Sequence, residues 1–162
     1  MKFHLALAAG LLAAAPVFAQ SENGEATTAS DEAAAAEEAV TVSGDAAAGE
    51  KAFKRCVSCH VVVNDAGETL AGKKAKTGPN LYGVAGRAAG SVEGFRYSKS
   101  MQAAGEAGLV WSEENFMEFV QDPTAFLREE LDDSGARSAM SFKVRKEEEA
   151  RDLYAYLASL AE

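Results

Sequence analysis

Cys56, Cys59 and His60 stand within five residues, in the stretch FKRCVSCHVVV. Three chemistries use such a cluster: a dithiol switch, a zinc site, or covalent haem attachment. The chain has only these two cysteines, and its other histidine is His4. A structural zinc ion needs four ligands, commonly in paired clusters, and three crowded candidates do not supply them. A thioredoxin-like dithiol sits after a strand and at the start of a helix, whose N-terminus lowers the thiol pKa. Here a helical pattern precedes Cys56, and the β-branched run Val61 to Val63 follows it. A Cys56–Cys59 disulfide would close a very small loop and leave His60 without a role. Covalent haem attachment uses all three residues: cysteines three apart lie about one helical turn from each other, and His60 is carried next to the iron.

Haem iron has a second axial position, filled here by methionine, by lysine or by nothing. Met101 and Met117 fall in predicted helices, where methionine usually fills core. Met140 lies instead in the loop Arg137 to Phe142, among small residues, and is the favoured second ligand. A thioether favours ferrous iron and raises the reduction potential. His60 and Met140 are therefore the expected iron ligands. One covalent haem c is the expected cofactor, on Cys56 and Cys59.

The elements that must position these residues read as a small all-helical domain. Asp45 can cap a helix from Ala46 to about Cys56, with Gly49 and Phe53 on one face. Thr77-Gly78-Pro79-Asn80 reads as a turn. A short helix is predicted near Ser98 to Ala104. Ser112 caps another through Val120, and Pro123 opens a further one. Ser134 to Val144 reads as loop, and Lys146 to Ala161 as the final helix, with Ala150, Leu153, Leu157 and Leu160 at helical spacing. No strand pattern is visible, and the large share of loop implies a centre filled by something besides side chains.

The 162 residues divide into three parts. Residues 1–19 read as a secretory signal, with Lys2 before an apolar run and Val17-Phe18-Ala19 as the cleavage pattern; the competing reading is a retained membrane anchor. Residues 20–44 hold no aromatic and no basic residue and read as a flexible acidic leader. Residues 45–162 form the domain, and export places it in the periplasm.

The formal charge is −9. The leader carries Glu22, Glu25, Asp31, Glu32, Glu37 and Glu38, whereas the domain sets fifteen bases against nineteen acids, a formal −4. That balance excludes a continuous nucleic-acid footprint. Basic residues cluster near the cysteines and near Met140, and acids cluster at Glu113 to Glu118 and Glu129 to Asp133. This pattern fits either ordinary solvated surface or a charge dipole.

The ordered set GDAAAGEKAFKRCVSCH, KTGPNLYGVAGR, GLVWSEENFMEFVQDP, AMSFKV and RDLYAYL resembles the class I c-type cytochromes, in particular the bacterial cytochrome c2 type. The resemblance covers Asp45 to Ala161. It implies the small monohaem cytochrome c fold, with first and last helices crossing where Gly49 and Phe53 meet Leu153 and Tyr156, and loops wrapped around the haem. It implies that the Pro79 carbonyl accepts from His60 Nδ1–H, that Arg87, Tyr97 and Trp111 hold haem propionates, and that Ser138 and Phe142 flank Met140.

It also implies a soluble monomeric electron carrier rather than an enzyme. The expected partners are a quinol-oxidising cytochrome bc complex and a photosynthetic reaction centre or cytochrome oxidase, met by transient electrostatic docking through Lys51, Lys54, Lys73, Lys74, Lys76, Arg96, Lys99, Lys143, Arg145 and Lys146. The competing function is a haem enzyme or gas sensor with a labile sixth ligand. Three positions depart from the commonest family pattern. Phe119 stands where a tyrosine is usual, Met101 stands where an asparagine is usual, and Leu127 to Ser138 is long.

Overall fold

The computed structural model describes residues 40–161. The signal and most of the leader, residues 1–39, lie outside the described residues. Among the described residues no helix is long and apolar enough to cross a membrane.

Among the described residues, five helices and one short β-ribbon follow in the order α1 (Ala46–Phe53), β1 (Val62–Val63), β2 (Thr69–Ala71), α2 (Lys99–Glu106), α3 (Glu113–Gln121), α4 (Pro123–Glu130) and α5 (Glu147–Ser159). Local chemistry sets most of their starts. The Asp45 carboxylate accepts from the backbone N–H groups of Ala47 at 2.7 Å and Ala48 at 3.1 Å. Ser98 and Ser112 accept from Met101 and Asn115, each at 3.2 Å, and Asp122 accepts from Ala125 at 3.2 Å ahead of Pro123 at the first helical position. Each such cap satisfies a donor that the helix leaves unpaired. The start of α5 has no side-chain cap, but Glu147, Glu148 and Glu149 fill its first turn and oppose the positive end of the helix dipole.

The first and last helices cross at Gly49. A β-carbon there would collide with the carbonyl of Asp152 and come within 2.7 Å of Tyr156 Cβ, so only glycine permits this approach. One turn on, the Phe53 ring packs against Tyr156 with centroids 5.5 Å apart. The buried stripe of α5 is broader than its leucine spacing predicts, taking in Tyr154, Ala155 and Ala158 beside Ala150, Leu153 and Leu157. Burying Leu153 and Leu157 stabilises the crossing by about 2 kcal/mol each. Behind them Trp111, Phe119 and Phe126 form an aromatic cluster, with Trp111 and Phe119 centroids 5.0 Å apart. Tyr154 Oη donates to the Trp111 carbonyl at 3.0 Å, tying α5 to the chain entering α3.

Two features differ from the sequence expectation. The first helix ends at Phe53, where Arg55 and Cys56 donate to carbonyls three residues back, at 3.2 and 2.8 Å, and tighten the exit. A two-stranded antiparallel ribbon also exists, pairing Val62 with Ala71 and Val63 with Thr69 across a bulge. Its turn closes through Asn64 and Gly67, the latter at φ +80°, a conformation glycine adopts without strain. The long segment from Leu127 is the end of α4 followed by a tight turn through Asp132. Arg128 Nε donates there to the Ala136 carbonyl at 3.2 Å and leads the chain back towards Met140.

Candidate haem site

Between α1, α3, α5 and the intervening loops lies a cavity of about 300 Å³. Its wall is largely apolar, and it brings together residues from distant parts of the chain. Cys56, Cys59 and His60 line it from the turn after α1, and Met140 lines it from the loop before α5.

The first group is built by one carbonyl. Cys56 O accepts from the backbone N–H of Cys59 at 3.0 Å and of His60 at 2.9 Å. A separate single turn thus carries the two sulfurs and the imidazole to the same wall. Cys56 and Cys59 form no disulfide, and burial pushes the Cys56 thiol up to about 11, with the Arg55 guanidinium partly opposing. A thiol so protonated at neutral pH is a poor dithiol nucleophile.

His60 is held from two sides. Its Nδ1 lies 3.0 Å from the Pro79 carbonyl oxygen, which can only accept, so Nδ1 carries the proton and Nε2 keeps its lone pair for a metal. Burial holds the His60 pKa below its usual value and keeps the ring neutral, against the opposing pull of the Pro79 bond. Gly78 lies flat against the ring: a β-carbon there would come within 2.6 Å of Nδ1 and 2.8 Å of Nε2. The strand-like loop behind is fastened by Asn80. Its amide accepts from Val63 N–H at 2.9 Å and Tyr82 N–H at 3.1 Å and donates to the Val63 carbonyl at 2.7 Å. Gly78 N–H to Cys59 O at 2.8 Å and Leu81 N–H to Val61 O at 3.0 Å complete the brace. The roles of Gly78 and Asn80 were not read from the sequence, where both belong to an unremarkable turn.

In the loop before α5, Met140 N–H donates to Ser138 Oγ at 3.0 Å, and Ser138 N–H donates to Thr124 Oγ1 at 3.3 Å. Ser138 is not part of the cavity wall; it braces the methionine loop against α4. Phe142 does line the cavity, is 42% exposed, and lies under the Arg55 guanidinium at 5.7 Å. Arg55 itself pairs with Glu149 in the first turn of α5.

Arg87, Tyr97 and Trp111 also line the cavity. The Arg87 guanidinium donates to the Tyr82 carbonyl at 2.6 Å and the Asn80 carbonyl at 3.1 Å, and burial lowers its pKa. Its buried Nε has no partner among the described residues. Tyr97 Oη accepts from Val92 N–H at 3.4 Å, and burial raises its pKa. An unpaired cationic donor at an apolar cavity calls for an anionic acceptor on the ligand. Haem meets that demand, since it presents an apolar face to the wall and carboxylates at one edge. The residues present therefore fit haem: two thiols, a neutral imidazole and a thioether line one apolar cavity, together with an orphaned guanidinium donor. Met101 and Phe119, the two departures from the family pattern, are both buried and line the same cavity, so neither adds a polar group to it.

Comparison with known proteins gives the family of the chain. The family profile described as Cytochrome c matches residues 46–161. Cytochrome c2 of Rhodovulum adriaticum is 70% identical over 114 residues, covering 70% of this chain and 90% of that protein. Cytochrome c-551 of Roseobacter denitrificans is 58% identical over 114 residues, covering 70% and 79%. The crystal structure of cytochrome c2 from Rhodobacter sphaeroides superposes with a TM-score of 0.72 at 52% identity, covering 74% of this chain and 98% of the other.

Proposed function

This chain belongs to the cytochrome c family, in its bacterial cytochrome c2 type, and from that premise we propose that it is a soluble periplasmic shuttle for single electrons. It would run from a quinol-oxidising cytochrome bc complex to a photosynthetic reaction centre or a terminal oxidase. The observation that carries the reading is the convergence of Cys56, Cys59, His60 and Met140 on one apolar cavity. Family membership gives the cofactor as haem c and the role as electron carrier, and the finer assignments rest on the site.

Haem supplies, when bound, an iron that gains and loses one electron reversibly. Cys56 and Cys59 would hold it as thioethers. His60 would ligate through Nε2, with Pro79 fixing the tautomer, and the Met140 thioether would take the second position, held by Ser138. Arg87 would neutralise its carboxylates, Tyr97 and Trp111 would help to anchor them, and the buried side chains of Met101 and Phe119 would pack apolar surface against it. Two protein ligands leave no position for substrate, which separates a carrier from an enzyme or sensor.

Partner choice would rest on exposed cations beside the cavity mouth. Lys76 precedes Thr77, Arg96 lies between Phe95 and Tyr97, Lys99 follows Ser98 and Lys143 follows Phe142, and each of these neighbours lines the cavity. Long-range attraction between opposite charges speeds encounter without tight binding, as a shuttle requires.

The test is stopped-flow oxidation of the ferrous protein by a reaction-centre preparation across a salt series, together with carbon monoxide titration. Rates that fall with salt and resistance to carbon monoxide support the carrier reading. Rates flat with salt would remove docking through these cations. Ready carbon monoxide binding would favour the enzyme or sensor reading.

A further inference from the structure

We propose that Ser100 on α2 and Thr124 on α4 are positioning residues for the second axial ligand. By holding the backbone just before Met140, they set how readily its thioether leaves the iron. This rests on the reading of Met140 as that ligand.

The methionine loop is anchored at both ends. Ala136 is buried, and its N–H donates to the Asp133 carbonyl at 3.0 Å. Val144 is buried too, and its N–H donates to the Val120 carbonyl at 2.8 Å. Between these anchors, residues 137 to 143 make no backbone–backbone hydrogen bond among the described residues. Segments of that kind open most readily, and one conformation persists only where other groups hold it.

Side chains from two helices supply that hold at three successive residues. Arg128 Nε donates to the Ala136 carbonyl at 3.2 Å, Arg137 N–H donates to Ser100 Oγ at 3.0 Å, and Ser138 N–H donates to Thr124 Oγ1 at 3.3 Å. Ser138 Oγ then accepts from Met140 N–H at 3.0 Å and carries the restraint to the ligand itself. Beyond Met140, Lys143 pairs with Asp122 at 2.6 Å, but both partners are about half exposed and such pairs are weak.

Ser100, Thr124 and Arg128 do not line the cavity, so they act on the iron only through the loop. Replacing Ser100 or Thr124 with an apolar residue also alters no charge near it. A thioether is neutral and brings no charge attraction to iron, so the loop must return the sulfur after each departure. A competing ligand binds the iron while the loop is open, and its apparent affinity scales with the open fraction. Losing one hydrogen bond that only the closed loop makes shifts that fraction by about two- to ten-fold.

The haem-loaded full chain is compared with Ser100→Ala, Thr124→Val and Thr124→Ser, and with Tyr154→Phe, which loses a buried hydrogen bond elsewhere. Two quantities are read: the methionine–iron charge-transfer band, and the affinity of the ferric protein for imidazole, a neutral competitor for the iron. Ser100→Ala and Thr124→Val should keep the band and bind imidazole about two- to ten-fold more tightly than the parent. Thr124→Ser retains the hydroxyl and should bind as the parent does, as should Tyr154→Phe. Parent-like affinity in both Ser100→Ala and Thr124→Val would overturn the proposal. An equal gain in Tyr154→Phe would overturn it too, since general loosening would then be the cause. A parent without the band would overturn the Met140 assignment along with the proposal, so the band tells the two failures apart.

Discussion

Replacing Asn80 with alanine should loosen the support of His60 without touching the cavity wall's metal-ligand candidates. The side chain makes three hydrogen bonds, two to Val63 and one to Tyr82, at 2.7 to 3.1 Å. Each such bond contributes about 0.5–1.5 kcal/mol net, and the half-buried site lets water replace part of the loss, so the total cost should be about 2 kcal/mol. Asn80→Asp keeps an acceptor for the Val63 and Tyr82 N–H groups but sets a carboxylate oxygen against the Val63 carbonyl where the amide donated, so it should cost at least as much as alanine, about 2 kcal/mol. The Pro79 carbonyl adjoins Asn80, so the alanine variant should also speed solvent exchange of the His60 Nδ1 proton. Guanidinium denaturation followed by far-UV circular dichroism gives the first quantity, and proton exchange by NMR of the ferrous protein gives the second. An alanine variant within about 0.5 kcal/mol of the parent, with His60 exchange unchanged, would refute the brace.

Other outcomes follow from single contacts. Gly49→Ala should destabilise by about 1–2 kcal/mol, because overpacking against Asp152 and Tyr156 exceeds the helix-propensity gain of about 0.5–1 kcal/mol; greater stability in denaturant would contradict the close crossing. Tyr154→Phe should cost about 1 kcal/mol and leave the visible spectrum unchanged, since the Trp111 carbonyl keeps its bond from Gly86 N–H. The hydrogen bond from Lys143, aided by Ala125 N–H, holds the Asp122 carboxyl below its usual value. A lowered carboxyl pKa contributes stability above the unfolded value of about 4 that is lost as pH falls through the folded one. The stability gap between the parent and Asp122→Asn should therefore be steady at neutral pH and close in acid, and a gap that widened below pH 4 would contradict the sign.

What was legible in the sequence was local. Asp45, Ser98, Ser112 and Pro123 open helices because the chemistry of a cap is contained within four residues, and the stripe of α5 marked its buried face. The ribbon of Val62–Val63 with Thr69–Ala71 escaped because strands of two and three residues carry no readable alternation. Helical periodicity runs past the true end of α1 at Phe53, since nothing local reveals that the Cys56 carbonyl serves Cys59 and His60 instead of extending the helix. At the site, residue types and elimination pointed to His60 and Met140. The supports given by Gly78, Asn80 and the Ser138 brace depend on contacts between segments far apart in the chain. Ser43 shows the same limit: its composition groups it with the leader, yet it is bound to Glu113 seventy residues away.

The central claim is that His60 and Met140 together complete one covalent haem site. Optical spectra of the purified protein with and without Met140→Ala test it most directly. The account predicts a low-spin haem with a methionine–iron charge-transfer band in the parent, and loss of that band in the variant. An unchanged spectrum in the variant would contradict it.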